Sequence, residues 1–213
     1  MATDLEWLDD APGRSEPEPF AGPDHPMRQM TRRVAFEHRW DGRNATNVAS
    51  LFDGLAEEWA RRGADPNRVA AIDDALDRGG ASLEGRWLEL GSGTGIGTAV
   101  ARRRIDSLVA ADLSWEMLTR APPSLAPRVR ADASALPFGN DQFDGLLLVN
   151  MLLFPDEVAR VLRRAGALVW VNTSGDQTPI HLPPADVLAA LPGDWRGRAG
   201  RAGTGTWVVA RRA

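Results

Sequence analysis

The sequence predicts an α/β protein whose parallel sheet is covered by helices, and two observations predict it. Beyond residue 80, short apolar runs alternate with helical stretches. One of those runs, Leu88-Glu89-Leu90, breaks directly into Gly91-Ser92-Gly93-Thr94-Gly95-Ile96-Gly97, the pattern of a buried strand that turns sharply into a helix. The length agrees, since 213 residues suit one domain with a short accessory piece, and 43% hydrophobic with 25% charged residues lies near the globular average.

Residues 1–30 hold Pro12, Pro17, Pro19, Pro23 and Pro26 among acids and glycines, a composition expected of a flexible tail. The alternative is a strap that docks over a pocket through Trp7, Leu8 and Phe20. Seven acids face Arg14 alone in residues 1–24, a net charge of −6, which leaves +2 on the remaining 189 residues. A body so close to neutral carries no basic footprint for nucleic acid. The opening Met-Ala-Thr-Asp-Leu-Glu has neither a basic nor an apolar leader region, and no apolar run approaches the roughly 20 residues of a spanning helix. A cytoplasmic protein without membrane association is expected.

Residues 31–80 read as a helical cap. Val48, Leu51, Phe52, Leu55 and Trp59 form one apolar stripe at helical spacing, ending near Gly63. A second helix follows, with Asp65 as N-cap, Pro66 in the first turn, Val69, Ile72 and Leu76 on one face, and Gly79 as stop. Residues 81–213 form the main domain. Strands are expected at 86–90, 107–111, 128–130, 143–149 and 167–171, with a last pair near Trp195 and at 207–210. Helices are expected at 97–103, from the cap Ser114, at 156–164 before Gly166, and at 184–191.

Three absences remove whole chemistries. The chain has no Cys and no Tyr, and all 25 of its basic residues are Arg, so it has no Lys. There is no thiolate nucleophile, disulfide, iron–sulfur cluster or Cys-bound zinc. There is also no Schiff-base or Walker lysine.

The glycine turn lets a nucleotide-like ligand approach backbone with no Cβ in the way. The dinucleotide fingerprint G-x-G-x-x-G/A fails in both registers, because its last position falls on Ile96 or on Thr98. That argues against a nicotinamide or flavin cofactor. Asp112 follows Gly93 by 19 residues at a strand end, where a carboxylate can hold a ribose diol. It could instead cap the next helix, although Ser114 is better placed for that. Asp132 ends the third strand, where it can meet a heterocycle edge or simply serve a turn.

Together these residues resemble the class I S-adenosylmethionine-dependent methyltransferases, specifically their small-molecule, methyltransferase-type-11-like group. The resemblance runs over 86–211 and rests on the Glu89 to Gly95 loop, Asp112-Leu113-Ser114 with Met117-Leu118, and Asp132-Ala133 with Leu136-Pro137-Phe138 before Phe143-Asp144. It implies a Rossmann-like, doubly wound, seven-stranded sheet, parallel except for a C-terminal antiparallel hairpin, with helices on both faces. It also implies S-adenosyl-L-methionine as donor and S-adenosyl-L-homocysteine as product. In the implied site, Glu89 meets the methionine amino group, while Gly91, Ser92, Gly93 and Gly95 let the backbone pass the methionine and ribose. Asp112 and Leu113 hold the ribose side, Asp132 and Ala133 read the adenine, and Asn150 lines the donor or acceptor site.

The sequence departs from the family where acceptor chemistry is set. Asn150-Met151-Leu152-Leu153-Phe154 carries neither the histidine of many small-molecule members nor the Asn-Pro-Pro-aromatic of adenine-N6 enzymes. Missing Cys and Lys exclude cytosine-C5 enzymes and those ribose 2′-O enzymes that need two lysines. Methyl transfer from a sulfonium mainly needs aligned reactants, and a base only if the acceptor must lose a proton. His181 and His38 are the candidate bases. Metal-assisted chemistry would need Asp144, Asn150 and Asp176 to converge, and no metal is expected. The expected partner is a small, partly apolar acceptor in a pocket roofed by the two N-terminal helices and the Asn172 to Pro184 loop and lined by residues such as Trp40, Phe52, Met151 and Phe154, with a homodimer as the assembly considered. The competing readings are a donor-binding regulatory protein that transfers no methyl and, less favoured, a nucleotide-dependent oxidoreductase.

Overall fold

A computed structural model describes residues 4–63 and 65–213. In chain order the elements are β1 (Asp4–Trp7), α1 (Pro26–Glu37), α2 (Gly42–Arg62), α3 (Pro66–Arg78), β2 (Arg86–Leu90), α4 (Ile96–Ala101), β3 (Ser107–Asp112) and α5 (Trp115–Arg120). They continue with β4 (Arg128–Arg130), β5 (Phe143–Val149), α6 (Pro155–Val161), β6 (Leu162–Asn172), α7 (Pro184–Ala190), β7 (Trp195–Ala202) and β8 (Gly205–Arg212). The strands form one sheet of order β1-β7-β8-β6-β5-β2-β3-β4. Among the described residues, only the pairings of β8, with β6 and with β7, are antiparallel.

Alternation along the strands divides the core between the two faces of the sheet. Leu88, Leu90, Leu146, Leu148, Leu168, Trp170 and Val208 pack with α1, α6 and α7 on one face. Trp87, Leu147, Val169, Val171, Trp207 and Val209 pack with α3 and α4 on the other. Trp87 and Trp207 fit because glycine stands across the ladder from each. A Cβ on Gly145 would lie 2.2 Å from the Trp87 ring, and one on Gly200 would lie 2.5 Å from Trp207.

The sheet has eight strands rather than seven, and the additional one comes from the segment read as a tail. Asp4–Trp7 pairs parallel to β7, with Glu6 opposite Arg198 and their side chains 2.9 Å apart. The amides of Leu8, Ala11 and Ser15 continue the contact by donating to Ala199, Arg201 and Gly203 carbonyls. Composition misled because charge and proline depress burial, whereas here the acids pair with arginines on the adjoining strand. The strap alternative fares better, with different anchors. Leu8 packs on the core, but Trp7 and Phe20 remain exposed, and Phe20 meets the 174–178 loop through its amide, which donates to Gln177 Oε1.

The cap holds three helices, counting α3, and α1 among them was not anticipated. It starts at Pro26 behind the N-cap His25, whose ring accepts from the Met27 amide, and ends at His38, whose backbone is left-handed at φ 52°. Twelve helical residues span about 18 Å. The carboxyl ends of β6 and β4 are four strand spacings apart, about 19 Å. Helix α1 bridges this distance: Arg28 near its start donates to the Asp176 and Thr178 carbonyls beyond β6, and Trp40 past its end reaches Asp132 beyond β4. Helix α2 is tied down separately, because Asp53 accepts from the Ser114 hydroxyl and the Glu116 amide at the start of α5. Among the described residues, no helix is long and apolar enough to cross a membrane.

Candidate active site

The turn from β2 to α4 lies at the carboxyl edge of the sheet, where open α/β sheets take their ligands. Gly91, Gly93 and Gly95 all adopt positive φ, at 72°, 55° and 86°. Gly91 also has no room for a side chain, since a Cβ there would lie 2.6 Å from the sulfur of Met151. Over Gly93 the space is open, the nearest atom being the Met117 sulfur at 4.0 Å. The Ser92 hydroxyl is buried beside it with no hydrogen-bond partner. An open glycine and an orphaned hydroxyl in one loop are what a backbone-hugging ligand would require.

Glu89 lies beneath this loop. Its carboxylate is 1% exposed, accepts from the Thr98 hydroxyl at 2.5 Å, and fills the space that a Cβ on Gly97 would take. Burial pushes its pKa up to about 8, opposed by the Thr98 bond and reinforced by the charge of Asp112. Asp112 ends β3, with one oxygen accepting from the Gly93 amide and the other from the Ser114 amide, each at 2.8 Å. Burial raises its pKa despite these amides, so the carboxylate that braces the loop is itself poorly solvated. Of the two sequence readings of Asp112, the capping one is realised in part, because Asp112 supports the α5 start while Ser114 provides the side-chain cap by accepting from Met117.

Asp132 follows β4 and accepts from the Ser134 amide at 2.9 Å and from Trp40 Nε1 at 3.1 and 3.0 Å. The Trp40 ring stands edge-on to Phe154, with centroids 5.2 Å apart. Ala133 is buried in the adjoining core, and Leu113 offers its carbonyl to Arg130 Nε. Asn150, past β5, adopts the left-handed conformation at φ 49°. Both ends of its amide engage Thr173 beyond β6: Nδ2 donates to Oγ1 at 2.8 Å, and Oδ1 accepts from the backbone amide at 2.9 Å. The acids Asp112 and Asp132, the glycine turn and Asn150 lie at the strand ends where the sequence put them. The sequence missed Thr98, Asp53, Thr173 and Arg28, although Thr98 could have been suspected from its place in the first turn after the loop.

Residues 88–169 match the family described as Methyltransferase domain, Methyltransf_11. The matched stretch is 82 of the chain's 213 residues and contains the glycine turn, Asp112 and Asp132. Demethylmenaquinone methyltransferase of Mycolicibacterium paratuberculosis is 32% identical to it over 140 residues, 60% of each chain. The protein of that name from Mycobacterium tuberculosis is 32% identical over 136 residues, 58% of this chain and 57% of the relative. The chain thus spans about three fifths of the length of the curated relatives it matches. Among solved structures, the DhpI–SAH complex aligns with TM-score 0.63 at 19% identity, covering 79% of this chain and 97% of that one. A SAM dependent methyltransferase from Aquifex aeolicus aligns with TM-score 0.57 at 16% identity, covering 81% and 98%. At such identities these two likenesses concern the fold.

The candidate bases fare differently from one another. His38 caps α1 at the surface, with Nδ1 3.4 Å from Asp156 Oδ2 and its side chain 58% exposed. His181 is more enclosed, and burial together with the positive charge of Arg28 pushes its pKa down to about 4, against the pull of Asp176 and Asp186. The imagined metal trio does not converge. Asp144 begins β5 at the opposite edge of the sheet, accepting from the Arg86 amide and pairing with Arg163, about 20 Å along the strand from Asn150.

Proposed function

We propose that this chain is an S-adenosylmethionine-dependent methyltransferase that acts on a small, partly apolar metabolite by in-line methyl transfer. The observation that carries the reading is the glycine turn, open over Gly93 and braced from below by Glu89 and from β3 by Asp112. When bound, the donor supplies a methyl group already activated by its sulfonium. The chain's work is therefore placement and exclusion of water.

Each proposed role has a group that can fill it. Glu89, next to the loop, favours the methionine ammonium. Gly91, Ser92, Gly93 and Gly95 form the floor, and the unpartnered Ser92 hydroxyl is free to bond there. Asp112 retains lone pairs beyond those used by Gly93 and Ser114, enough for ribose hydroxyls, with Leu113 alongside. Asp132, oriented by Trp40, accepts the adenine amino group, and Ala133 lies against the ring. Asn150 holds the ends of β5 and β6 together and so shapes the wall. On the acceptor side, Trp40, Phe52, Met151 and Phe154 belong to one apolar cluster, which suits an apolar body. The name of the curated relatives supports an acceptor of quinone type.

Calorimetry with S-adenosylmethionine, S-adenosylhomocysteine and NADH tests the reading. Micromolar binding of the first two is expected, and binding of NADH alone would overturn it. Transfer of labelled methyl to a quinol-type acceptor, or a small molecule co-purified in the pocket, separates an enzyme from a donor-binding protein without transfer.

A further inference from the structure

We infer that Arg28 and His181 form an oxyanion-recognising pole of the acceptor pocket, so that the acceptor binds with an anionic oxygen against Arg28 and its apolar body against the part of the apolar cluster that holds Ile180 and Leu182. The inference deepens the methyltransferase reading and rests on it. Arg28 lies in the first turn of α1, the helix that bridges the carboxyl edge from the β6 loop toward Asp132. One of its nitrogens donates to two backbone carbonyls, of Asp176 and Thr178. Its Nε is buried and has no partner. Among the described residues, no carboxylate comes within ion-pair distance of its guanidinium, whereas Arg14, Arg32, Arg78, Arg104 and Arg160 each hold one. Carbonyl dipoles fix the geometry of Arg28, and its charge is met by no carboxylate in direct contact, only by the nearby charge of Asp176. A half-buried guanidinium in that state gains most from an anionic oxygen, which it can bind with charge-assisted bonds.

His181 follows Thr178, whose carbonyl accepts from Arg28, by three residues, and it feels the charge of that guanidinium. Neither of its ring nitrogens is hydrogen-bonded to protein among the described residues, and burial beside Arg28 keeps the ring neutral. A neutral imidazole adds a hydrogen bond without a second positive charge. The flanking Ile180 and Leu182 are buried in the cluster that contains Phe154, with Met27 and Met30 packed against it. The polar pair thus sits at the margin of the apolar cluster, an arrangement that fits a ring system bearing one ionised oxygen, either a ring hydroxyl or a carboxylate.

The probes are 2-naphthoate, 1-naphthol and uncharged naphthalene, titrated into the full chain saturated with S-adenosylhomocysteine. At least one oxygen-bearing probe should bind ten-fold or more tighter than naphthalene. Preference for naphthoate assigns a carboxylate, and preference for naphthol assigns a ring hydroxyl. Arg28→Met should abolish the preference while S-adenosylhomocysteine affinity and melting temperature stay near those of the parent. Should Arg28→Met fail to fold, Arg28→Gln and His181→Gln serve in its place, with the preference lost in the first and reduced several-fold in the second. Equal binding of the three probes by the parent, or an undiminished preference in the Arg28 variants, overturns the inference and leaves the donor reading standing. A parent chain that binds no S-adenosylhomocysteine refutes the donor reading instead.

Discussion

The indole of Trp40 donates to both carboxylate oxygens of Asp132 across 92 residues of sequence, at 3.1 and 3.0 Å. This bond joins the segment between α1 and α2 to the end of β4. It orients the carboxylate proposed to read the donor's adenine while leaving lone pairs free. Trp40→Phe keeps the ring against Phe154 and removes only the donor. A hydrogen bond to a charged group contributes about 1.5–3 kcal/mol, part of which is shared with Ser134, so a roughly 5- to 20-fold weakening of S-adenosylmethionine binding is expected by calorimetry. Unchanged affinity would mean that Trp40 only closes the surface.

Gly145 and Trp87 test the sheet. A Cβ on Gly145 would lie 2.2 Å from the Trp87 ring, whose side chain is fully buried between β2 and the helices α3 and α4. Overpacking of this kind costs about 1–3 kcal/mol or more. Gly145→Ala should therefore lower the urea midpoint clearly, and Trp87→Leu, destabilising alone, should recover part of the loss in the double variant. Additive losses would falsify the steric account.

The buried Glu89 gives the fold a pH dependence of definite sign. Its folded pKa, about 8, lies above the ordinary 4.5, so the folded state holds a proton that the unfolded state has released. Stability then falls as pH rises between these values and levels off above about 8, by an amount on the order of a few kcal/mol. Glu89→Gln, which keeps the shape without the charge, should melt higher than the parent at pH 8–9 and close to it near pH 4. A parent whose melting temperature rises steadily from pH 5 to pH 8, with Glu89→Gln unchanged in slope, would refute this.

Local signals were legible where one short segment decides its own structure. The Asp65-Pro66 start and Gly79 stop of α3 emerged as expected, as did the strand at Arg86–Leu90 and the glycine turn. Neighbouring strands decided the rest. Asp4–Trp7 has two acids among its four residues in register with β7, and its pairing becomes visible only when Arg198 and Arg201 are known to lie alongside. Strand β6 begins at Leu162 rather than near Ala167, because a shift in its register with β5 between Phe143 and Gly145 admits the residues from Arg163 to Gly166. In the candidate site the acids were legible as residues, but their partners were not. Thr98 and Gly97 against Glu89, and Trp40 on Asp132, are contacts set by packing between elements distant in sequence.

The strand β1 yields the last prediction. It is held by parallel pairing to β7, by the Glu6 ion pair with Arg198, and by Trp7 stacked 4.6 Å from the Arg201 guanidinium. Leu5 adds apolar contact, fitting against Gly197 where a Cβ would come within 3.1 Å of its methyl. Exposed ion pairs contribute little and each ladder bond about 1 kcal/mol net, so the strand as a whole is worth roughly 2–3 kcal/mol. In a chain of this size that corresponds to a melting temperature about 5–10 °C lower when residues 1–15 are deleted. The remaining sheet should persist, because β7 then becomes an edge strand guarded by Arg196, Arg198 and Arg201, charges that discourage edge-to-edge association. Donor affinity should be retained, since Trp40, Asp112 and Asp132 lie at the other end of the sheet. In the intact chain, the amides of Leu8, Ala11 and Ser15 should exchange slowly with deuterium, protected by the carbonyls of Ala199, Arg201 and Gly203. Exchange at unprotected rates, or a truncated chain as stable as the full one, would return residues 1–15 to the status of a tail.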